Sequence, residues 1–318
     1  MAGKALVTGA AGFIGSHAVE MLLAEGREVV GVDAFTDSYE PLYKEENLDA
    51  LRSEERFRLV REDLNRADLG RLLDGVDVVF HLAAQAGVRA SWGRDFERYL
   101  NANILATQRL LEAARGKAIR RFVFASSSSV YGETVDLPVR ESSPKRPHSP
   151  YGVTKLAAEN LGHLYRRNEG VPFVALRYFT VVGPRQRPDM APYRIVRAAY
   201  GGEPFAVYGD GEQTRDFTFV GDAARATIRA GERETESPVF NVGGGGRIAL
   251  NEMIRLVEEI TGREVARRPA DRQKGDVRDT WADCSAAERE LGKVGATPVR
   301  EALEKLVAWY LERRLPEA

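Results

Sequence analysis

A tyrosine and a lysine one helical turn apart carry the most readily stated chemistry in this 318-residue sequence. In the stretch HSPYGVTKLAAEN, the spacing of Tyr151 and Lys155 places both side chains on one face of a helix. A phenol titrates near pH ~10 and is a poor base, but a neighbouring ammonium group stabilises the phenolate. Such a pair can take the proton from a hydroxyl group while hydride leaves the same carbon. The spacing also occurs on ordinary helix surfaces, so the pair alone does not decide the function.

Four consecutive serines, residues 126–129, follow the apolar stretch RFVFA. The carboxyl end of a strand in an α/β sheet lies where the ligand binds, and one of these hydroxyls can hydrogen-bond a reacting oxygen beside the phenol. An ordinary turn after a strand is the structural alternative.

A glycine-rich stretch, TGAAGFIGS, places Gly9, Gly12 and Gly15 between an apolar run and a helical segment. Glycines here allow a tight turn and close approach of the backbone to a pyrophosphate, which also receives N–H donors from the helix N-terminus. Asp33 ends the next apolar run, where a carboxylate accepts hydrogen bonds from ribose hydroxyls and repels a 2′-phosphate. The combination predicts a dinucleotide site that favours NAD over NADP.

Short apolar runs alternate with segments of helical spacing, which indicates an α/β fold with a doubly wound parallel sheet of Rossmann type. The runs are residues 4–8, 28–33, 57–60, 76–83, 121–126 and 173–179. Turn residues become frequent after about residue 180. We therefore expect an NAD-binding domain over residues 1–179, to which 217–245 return, and a smaller, discontinuous substrate domain over 180–216 and 246–318.

The composition is that of an ordinary globular protein. Lys and Arg number 46 against 47 Asp and Glu, for a net charge of -1, so we expect neither a nucleic-acid nor a membrane partner. Cys284 is the single cysteine, which excludes an intrachain disulfide and a cysteine-based metal cluster. We predict a cytoplasmic protein without a metal site.

In their order along the chain, the motifs TGAAGFIGS, HLAA, SSSSVYG, YGVTK and LRYF resemble those of the extended short-chain dehydrogenase/reductases, the nucleotide-sugar epimerases and dehydratases. The resemblance implies bound NAD, a triad of Ser127, Tyr151 and Lys155, and a homodimer built from helices around 95–115 and 151–169. The candidate cofactor residues are Gly9, Gly12, Phe13, Ile14, Gly15, Asp33, Asp63, Leu64, Leu82, Ala83, Ala84, Asn103, Tyr151, Lys155 and Tyr178.

The stretches GDGEQTRDFTFV and KGDVRDTWAD resemble the segments that bind UDP in this family. The resemblance makes Arg215 a candidate diphosphate ligand and Asp276 a candidate ribose ligand, with Arg278 as a weaker candidate. Loop arginines are also commonly solvated, so Arg215 and Arg278 retain that alternative.

The serines at the end of the strand restrict which reaction of this family the chain can catalyse. Dehydratases of this family carry an Asp-Glu pair in this motif and decarboxylases carry a glutamate, where this sequence has Ser128 and Ser129. Serine is neither an acid nor a base at neutral pH, so oxidation and re-reduction remain, as in a 4-epimerase. Thr180 replaces the asparagine typical of galactose-type epimerases, which predicts a different sugar pocket.

Three stretches, HLAAQAGVRAS, LRYFTVVGPRQRPDM and GDVRDTWAD, resemble those of UDP-glucuronate 4-epimerases. Such an enzyme must hold the substrate carboxylate, for which we expect Arg185, since a guanidinium grips a carboxylate through paired hydrogen bonds. Arg89 is expected at the diphosphate or the same carboxylate, and Arg187 has no assigned role. The alternatives are a 4-epimerase of UDP-glucose or UDP-N-acetylglucosamine, a UDP-glucuronate decarboxylase, and a regulator that senses a dinucleotide without chemistry.

Overall fold

The computed structural model describes residues 3–134 and 136–314. The strands in chain order are β1 (Lys4–Thr8), β2 (Glu28–Val32), β3 (Phe57–Val60), β4 (Val76–His81), β5 (Arg121–Ser127), β6 (Phe173–Tyr178), β7 (Thr180–Val182), β8 (Phe205–Tyr208), β9 (Thr214–Phe219), β10 (Val239–Val242), β11 (Arg247–Ala249) and β12 (Arg267–Ala270). The central sheet has seven strands in the order β10-β6-β5-β4-β1-β2-β3, and every neighbouring pair is parallel. The predicted parallel sheet is confirmed.

Helices cover both faces of this sheet, and others pack with the remaining strands in a second, smaller part of the molecule. They are α1 (Phe13–Ala24), α2 (Pro41–Asn47), α3 (Leu69–Leu72), α4 (Phe96–Tyr99), α5 (Ala106–Ala114), α6 (Pro150–Glu169), α7 (Ala191–Ala199), α8 (Val220–Glu232), α9 (Leu250–Thr261), α10 (Ser285–Leu291) and α11 (Val299–Arg314). One apolar cluster includes side chains of α1 and α8, and another includes α5 and Ala158 of α6. Both faces of the strands are therefore dry, which explains their continuous apolar runs.

The strand order of the sheet starts at β1 near its centre and extends from there toward both edges. It runs outward through β1, β2 and β3, and then returns to β4 on the other side of β1. The carboxyl ends of β1 and β4 consequently flank the point at which the strand order reverses, which is where open α/β sheets bind their ligands.

The later half of the chain contributes to both parts of the molecule. Helix α8 packs on α1, and β10 pairs with β6 at the edge of the central sheet. The smaller part contains the sheet β11-β9-β7 and the pair β12-β8, which lie around a third apolar cluster with α7, α9 and α11.

Residues 100–105, between α4 and α5, form a π-helical segment. The sequence predicts a regular helix from Asn103 to Ala114, but its first turn is this wider one. Asn103 lies within it, 1% exposed, and its carbonyl accepts a hydrogen bond from Thr107 Oγ1 at 2.7 Å. Among the described residues, no helix is long and apolar enough to cross a membrane.

Candidate active site

The glycine loop between β1 and α1 has a shape that only glycine permits. Gly9 has a φ of +72°, and its N–H donates to Val32 O at 2.7 Å. A Cβ atom on Gly15 would lie 2.0 Å from Gly9 O, which no side chain tolerates. No side chain in the described residues caps the N-terminus of α1, whose first N–H groups can therefore receive an anion. The loop fits the pyrophosphate of a dinucleotide.

Asp33 lies directly after β2 and is 6% exposed. Its Oδ1 accepts hydrogen bonds from Lys44 Nζ and Phe35 N, both at 2.9 Å, and its Oδ2 accepts one from Ala11 N at 3.2 Å. A carboxylate has about four acceptor positions, so Oδ2 retains capacity for a ribose hydroxyl. Lys44, which the sequence reasoning missed, belongs to the short helix α2 and holds this carboxylate in place.

The ends of the neighbouring strands lie along the same edge of the sheet. After β4, Leu82 N donates to Thr8 O at 3.1 Å and Ala83 N donates to Thr8 Oγ1 at 3.2 Å. The side chain of Asn103 forms two hydrogen bonds with the backbone of Gln85, at 2.8 and 3.0 Å. The other candidate cofactor residues are Phe13 and Ile14 in the first turn of α1, Asp63 and the buried Leu64 after β3, Ala84 after β4, and Tyr178 at the end of β6.

Tyr151 lies in the first turn of α6 and faces the end of β5. The hydroxyl of Ser127, the last residue of β5, accepts a hydrogen bond from Ser129 N at 3.1 Å. Burial raises the pKa of Tyr151, while a hydrogen-bonding contact with Ser127 and the charge of Arg187 lower it. Ser128 and Ser129 are half-buried in the 3-10 turn that follows. The structure therefore brings together the phenol and the predicted serine.

Lys155 lies one turn further along α6 and is 3% exposed. Its Nζ donates to Ala125 O at 2.7 Å, and burial lowers its pKa to about 7. An ammonium group carries three N–H donors, so two remain for other partners. The lysine consequently both ties α6 to β5 and supplies a positive charge close to neutral pH.

The loop of residues 183–189 follows β7 and contains two arginines with different surroundings. Arg185 has a φ of +64° and forms an ion pair with Glu20 of α1. Arg187 forms two hydrogen bonds with Asp189, Nε to Oδ1 at 3.0 Å and Nη2 to Oδ2 at 2.9 Å. It is the charge of Arg187 that acts on the Tyr151 phenol. The sequence favours Arg185 for the sugar carboxylate and assigns no role to Arg187; in the structure Arg185 pairs with Glu20, and Arg187 is the arginine whose charge acts on Tyr151.

The remaining predicted substrate residues form a polar wall near β8 and β9. Arg89 Nη2 lies 2.7 Å from Asp276 Oδ2, and its guanidinium stacks 4.1 Å from the centre of the Tyr208 ring. Arg215 donates to Val277 O at 2.8 Å, and burial lowers its pKa, while the charges of Asp276 and others raise it. These groups form one cluster.

Two other predicted substrate residues are Arg278 and Thr180. Arg278 pairs with Asp210 at 2.9 Å, away from the buried part of the cluster. Thr180 is the first residue of β7 and is half-buried.

A family model for the NAD dependent epimerase/dehydratase family matches residues 5–243 of this sequence. The chain belongs to that family. A solved structure of UDP-glucuronic acid 4-epimerase from Bacillus cereus, in complex with UDP-glucuronic acid and NAD, is 42% identical; the match covers 97% of this chain and 99% of that chain, with a TM-score of 0.93.

Two curated relatives span nearly the whole chain. One is UDP-glucuronate 4-epimerase of Thermodesulfobacterium geofontis, 37% identical over 98% of this chain and 97% of the relative. The other, from Bacillus subtilis, is named "Uncharacterized UDP-glucose epimerase YtcB" and is 46% identical over 96% and 97%. NAD is the cofactor of this family, as the sequence predicted, and the chain is an NAD-dependent enzyme of the epimerase type.

Replacing Tyr151 with Phe removes the group that takes the proton and leaves the ring in place. For this family member we expect turnover to fall by about 10²- to 10⁴-fold, while NAD remains bound because the glycine loop and Asp33 are unchanged. Steady-state assays and the NAD content of the purified protein measure both effects. Tyr165→Phe is the matched control, since Tyr165 lies on α6 and donates to Glu112 instead. Retained turnover in Tyr151→Phe would remove the phenol from the mechanism.

Proposed function

We propose that this enzyme interconverts UDP-glucuronate and UDP-galacturonate by NAD-dependent epimerisation at C4. The observation that carries the proposal is a half-buried phenol, Tyr151, that is in hydrogen-bonding contact with Ser127 and is acted on by the charge of Arg187. The phenol and serine suit removal of a hydroxyl proton, and the cation suits a substrate with its own carboxylate. Similarity to UDP-glucuronate 4-epimerases supports the same substrate.

In this mechanism Tyr151 accepts the proton of the sugar 4-hydroxyl, and Ser127 donates a hydrogen bond to the same oxygen. Lys155 stabilises the phenolate that must exist before the proton is taken. When bound, NAD supplies a hydride acceptor and donor, so that C4 is oxidised and then reduced. Rotation of the 4-keto sugar between the two steps exposes its opposite face, after which Tyr151 returns the proton to the oxygen. Proton and hydride are both restored, so epimerisation needs no further reactant.

The carboxylate is the hazardous part of this substrate. The 4-keto intermediate is a β-keto acid, which loses carbon dioxide readily when its carboxylate stands perpendicular to the ketone plane. A group that grips the carboxylate can prevent that orientation. Asp189 engages two of the five N–H donors of Arg187, so three remain for the sugar carboxylate. We therefore assign this role to Arg187 in place of Arg185.

We assign the UDP portion to the cluster near β8 and β9. Arg215 and Arg89 provide two positive charges for the diphosphate, and Asp276 provides an acceptor for ribose hydroxyls. Arg89 forms an ion pair with Asp276, so the residues that would bind the diphosphate and the ribose are in direct contact with each other. Ser128, Ser129 and Thr180 lie between this cluster and the phenol in our assignment and contact the sugar.

Separate incubation with UDP-glucuronate, UDP-glucose and UDP-N-acetylglucosamine tests the reaction. We expect UDP-glucuronate to give a product of unchanged mass with inverted C4, identified by mass spectrometry and proton couplings. Loss of carbon dioxide as the main outcome would indicate a decarboxylase. Turnover of only UDP-glucose or UDP-N-acetylglucosamine would support a 4-epimerase of those sugars instead. The name of the Bacillus subtilis relative favours UDP-glucose among them. No turnover of any of the three sugars would contradict the proposed reaction.

Replacing Arg187 with Ala should specifically impair handling of the carboxylate. Charge-assisted hydrogen bonds to the sugar are lost, so we expect KM for UDP-glucuronate to rise by about tenfold to a hundredfold, and decarboxylated pentose product to appear. Kinetics and product mass measure this. Arg278→Ala, which removes a pair with Asp210, is the control and should leave product purity unchanged. Normal KM and a pure product in Arg187→Ala would contradict the assignment.

We further propose that the protein acts in the cytoplasm, where free thiols such as that of Cys284 stay reduced and nucleotide sugars are present. We also propose a homodimer whose interface is formed by α4, α5 and α6. Large apolar side chains on this surface are exposed, among them Leu105 (43%), Val153 (48%) and Leu164 (54%). Several exposed large apolar side chains on neighbouring helices are typical of a protein interface.

Leu164→Glu should convert the dimer to a monomer, because it places a charge in the middle of that interface. Light scattering after gel filtration measures the mass. Leu311→Glu, an exposed leucine on α11, is the matched control and should remain dimeric. A monomeric wild-type protein would disprove the dimer.

A further inference from the structure

The loop of residues 183–189 is fastened to the face of α1, the helix whose N-terminus fits the dinucleotide. His17 Nε2 lies 3.1 Å from Pro184 O, and Arg185 pairs with Glu20 one turn further along the helix. Burial and the charge of Arg185 lower the pKa of His17 to about 4, so this histidine is neutral at pH 7. A carbonyl only accepts hydrogen bonds, so the one proton of the ring is on Nε2 and is donated to Pro184 O.

The backbone of this loop turns sharply between its two arginines. Arg185 has a φ of +64°, a left-handed conformation that residues other than glycine rarely adopt. Gln186, buried between the arginines, donates from Nε2 to Val181 O at 3.0 Å and closes the turn. Because of this turn, Arg185 reaches α1 while the charge of Arg187 acts on Tyr151. The conformation that brings Arg187 to the phenol therefore depends on contacts made by its neighbours.

We propose that Arg185 is a positioning residue which, with Glu20 and His17, fixes the 183–189 loop on the cofactor helix and thereby sets the place of Arg187 over the sugar. The inference rests on the role proposed above for Arg187. In this proposal the Arg185–Glu20 ion pair contributes to product purity, because it joins the loop of Arg187 to α1 as one rigid unit. The carboxylate then keeps a fixed angle to the ketone formed at C4.

The other role open to Arg185 is direct contact with the cofactor phosphates. Its Nη1 is buried and has no hydrogen-bond partner among the residues that the structure describes. A phosphate ligand and a positioning residue differ in one measurable respect. Loss of a phosphate ligand releases NAD, whereas loss of the positioning residue leaves NAD bound and disturbs the sugar.

A double-mutant cycle between Arg185→Ala and Arg187→Ala tests the proposal. The measurements are KM for UDP-glucuronate, the fraction of decarboxylated product, and the NAD content of the purified protein. We expect Arg185→Ala to change the first two in the same direction as Arg187→Ala, by about threefold to tenfold, with unchanged NAD. The double variant should equal Arg187→Ala alone, because positioning has no effect once the positioned group is absent.

Two further variants complete the design. Glu20→Arg combined with Arg185→Glu restores the ion pair with reversed polarity and should recover most of the lost product purity. Arg300→Ala removes the surface ion pair of Arg300 with Glu259, between α11 and α9, and should behave like the wild type.

The outcomes separate the two proposals. If Arg187→Ala has no effect, its own assignment fails and the positioning role fails with it. If Arg187→Ala acts as expected but the effect of Arg185→Ala is absent or additive, only the positioning role is overturned. Release of NAD from Arg185→Ala would make this arginine a cofactor ligand instead.

Discussion

A buried ion pair between Glu159 and Arg177 fixes how α6, the helix of Tyr151 and Lys155, lies on the sheet. Both side chains are 2% exposed. Burial alone would raise the pKa of Glu159, but the His163 ring 3.8 Å away, hydrogen bonds from Arg177 and Ser126, and the charge of Arg177 lower it to about 2. Breaking such a pair leaves an unpaired charge in an apolar interior at a cost of about 3–5 kcal/mol, so α6, β5 and β6 have one permitted arrangement. Tyr151 and Lys155 precede Glu159 on α6, and they face the end of β5 for this reason.

The same network extends from the cofactor sheet toward the smaller part of the molecule. Arg177 also donates to Tyr131 OH at 2.8 Å, and Tyr131 donates to Asn241 Oδ1 of β10 at 2.6 Å. Asn241 Nδ2 in turn reaches Asp283 O at 3.3 Å. The segment after 274, which carries the UDP candidates, is thus joined through hydrogen bonds to the strand that ends in Ser127. Because buried polar groups must stay paired, the segment after 274 and the central sheet are held in one fixed arrangement.

The sequence predicted the central sheet well because its strands are buried on both faces. Residues 4–8 and 57–60 are strands at the predicted bounds, and the run 28–33 extends one residue beyond β2. The glycine loop and the placement of Tyr151 and Lys155 on one helix were also accessible, since both depend on local spacing. The different surroundings of the two loop arginines were not, because they depend on the left-handed backbone at Arg185 and on its pairing with Glu20 of α1. Lys44 could not be predicted, because only the folded position of α2 brings its ammonium group to the Asp33 carboxylate.

Burial at Tyr151 and Lys155 explains why spacing alone does not make a base. The pKa of Tyr151 is raised by burial and that of Lys155 is lowered to about 7, so the interior disfavours a lone charge on either group. A phenolate and an ammonium group formed together offset that penalty, since opposite charges attract more strongly in a medium of low dielectric. In the proposed mechanism, the active ionisation state consequently belongs to the pair and its surroundings. An exposed Tyr and Lys at the same spacing would lack this burial, and the difference separates α6 from an ordinary helix surface.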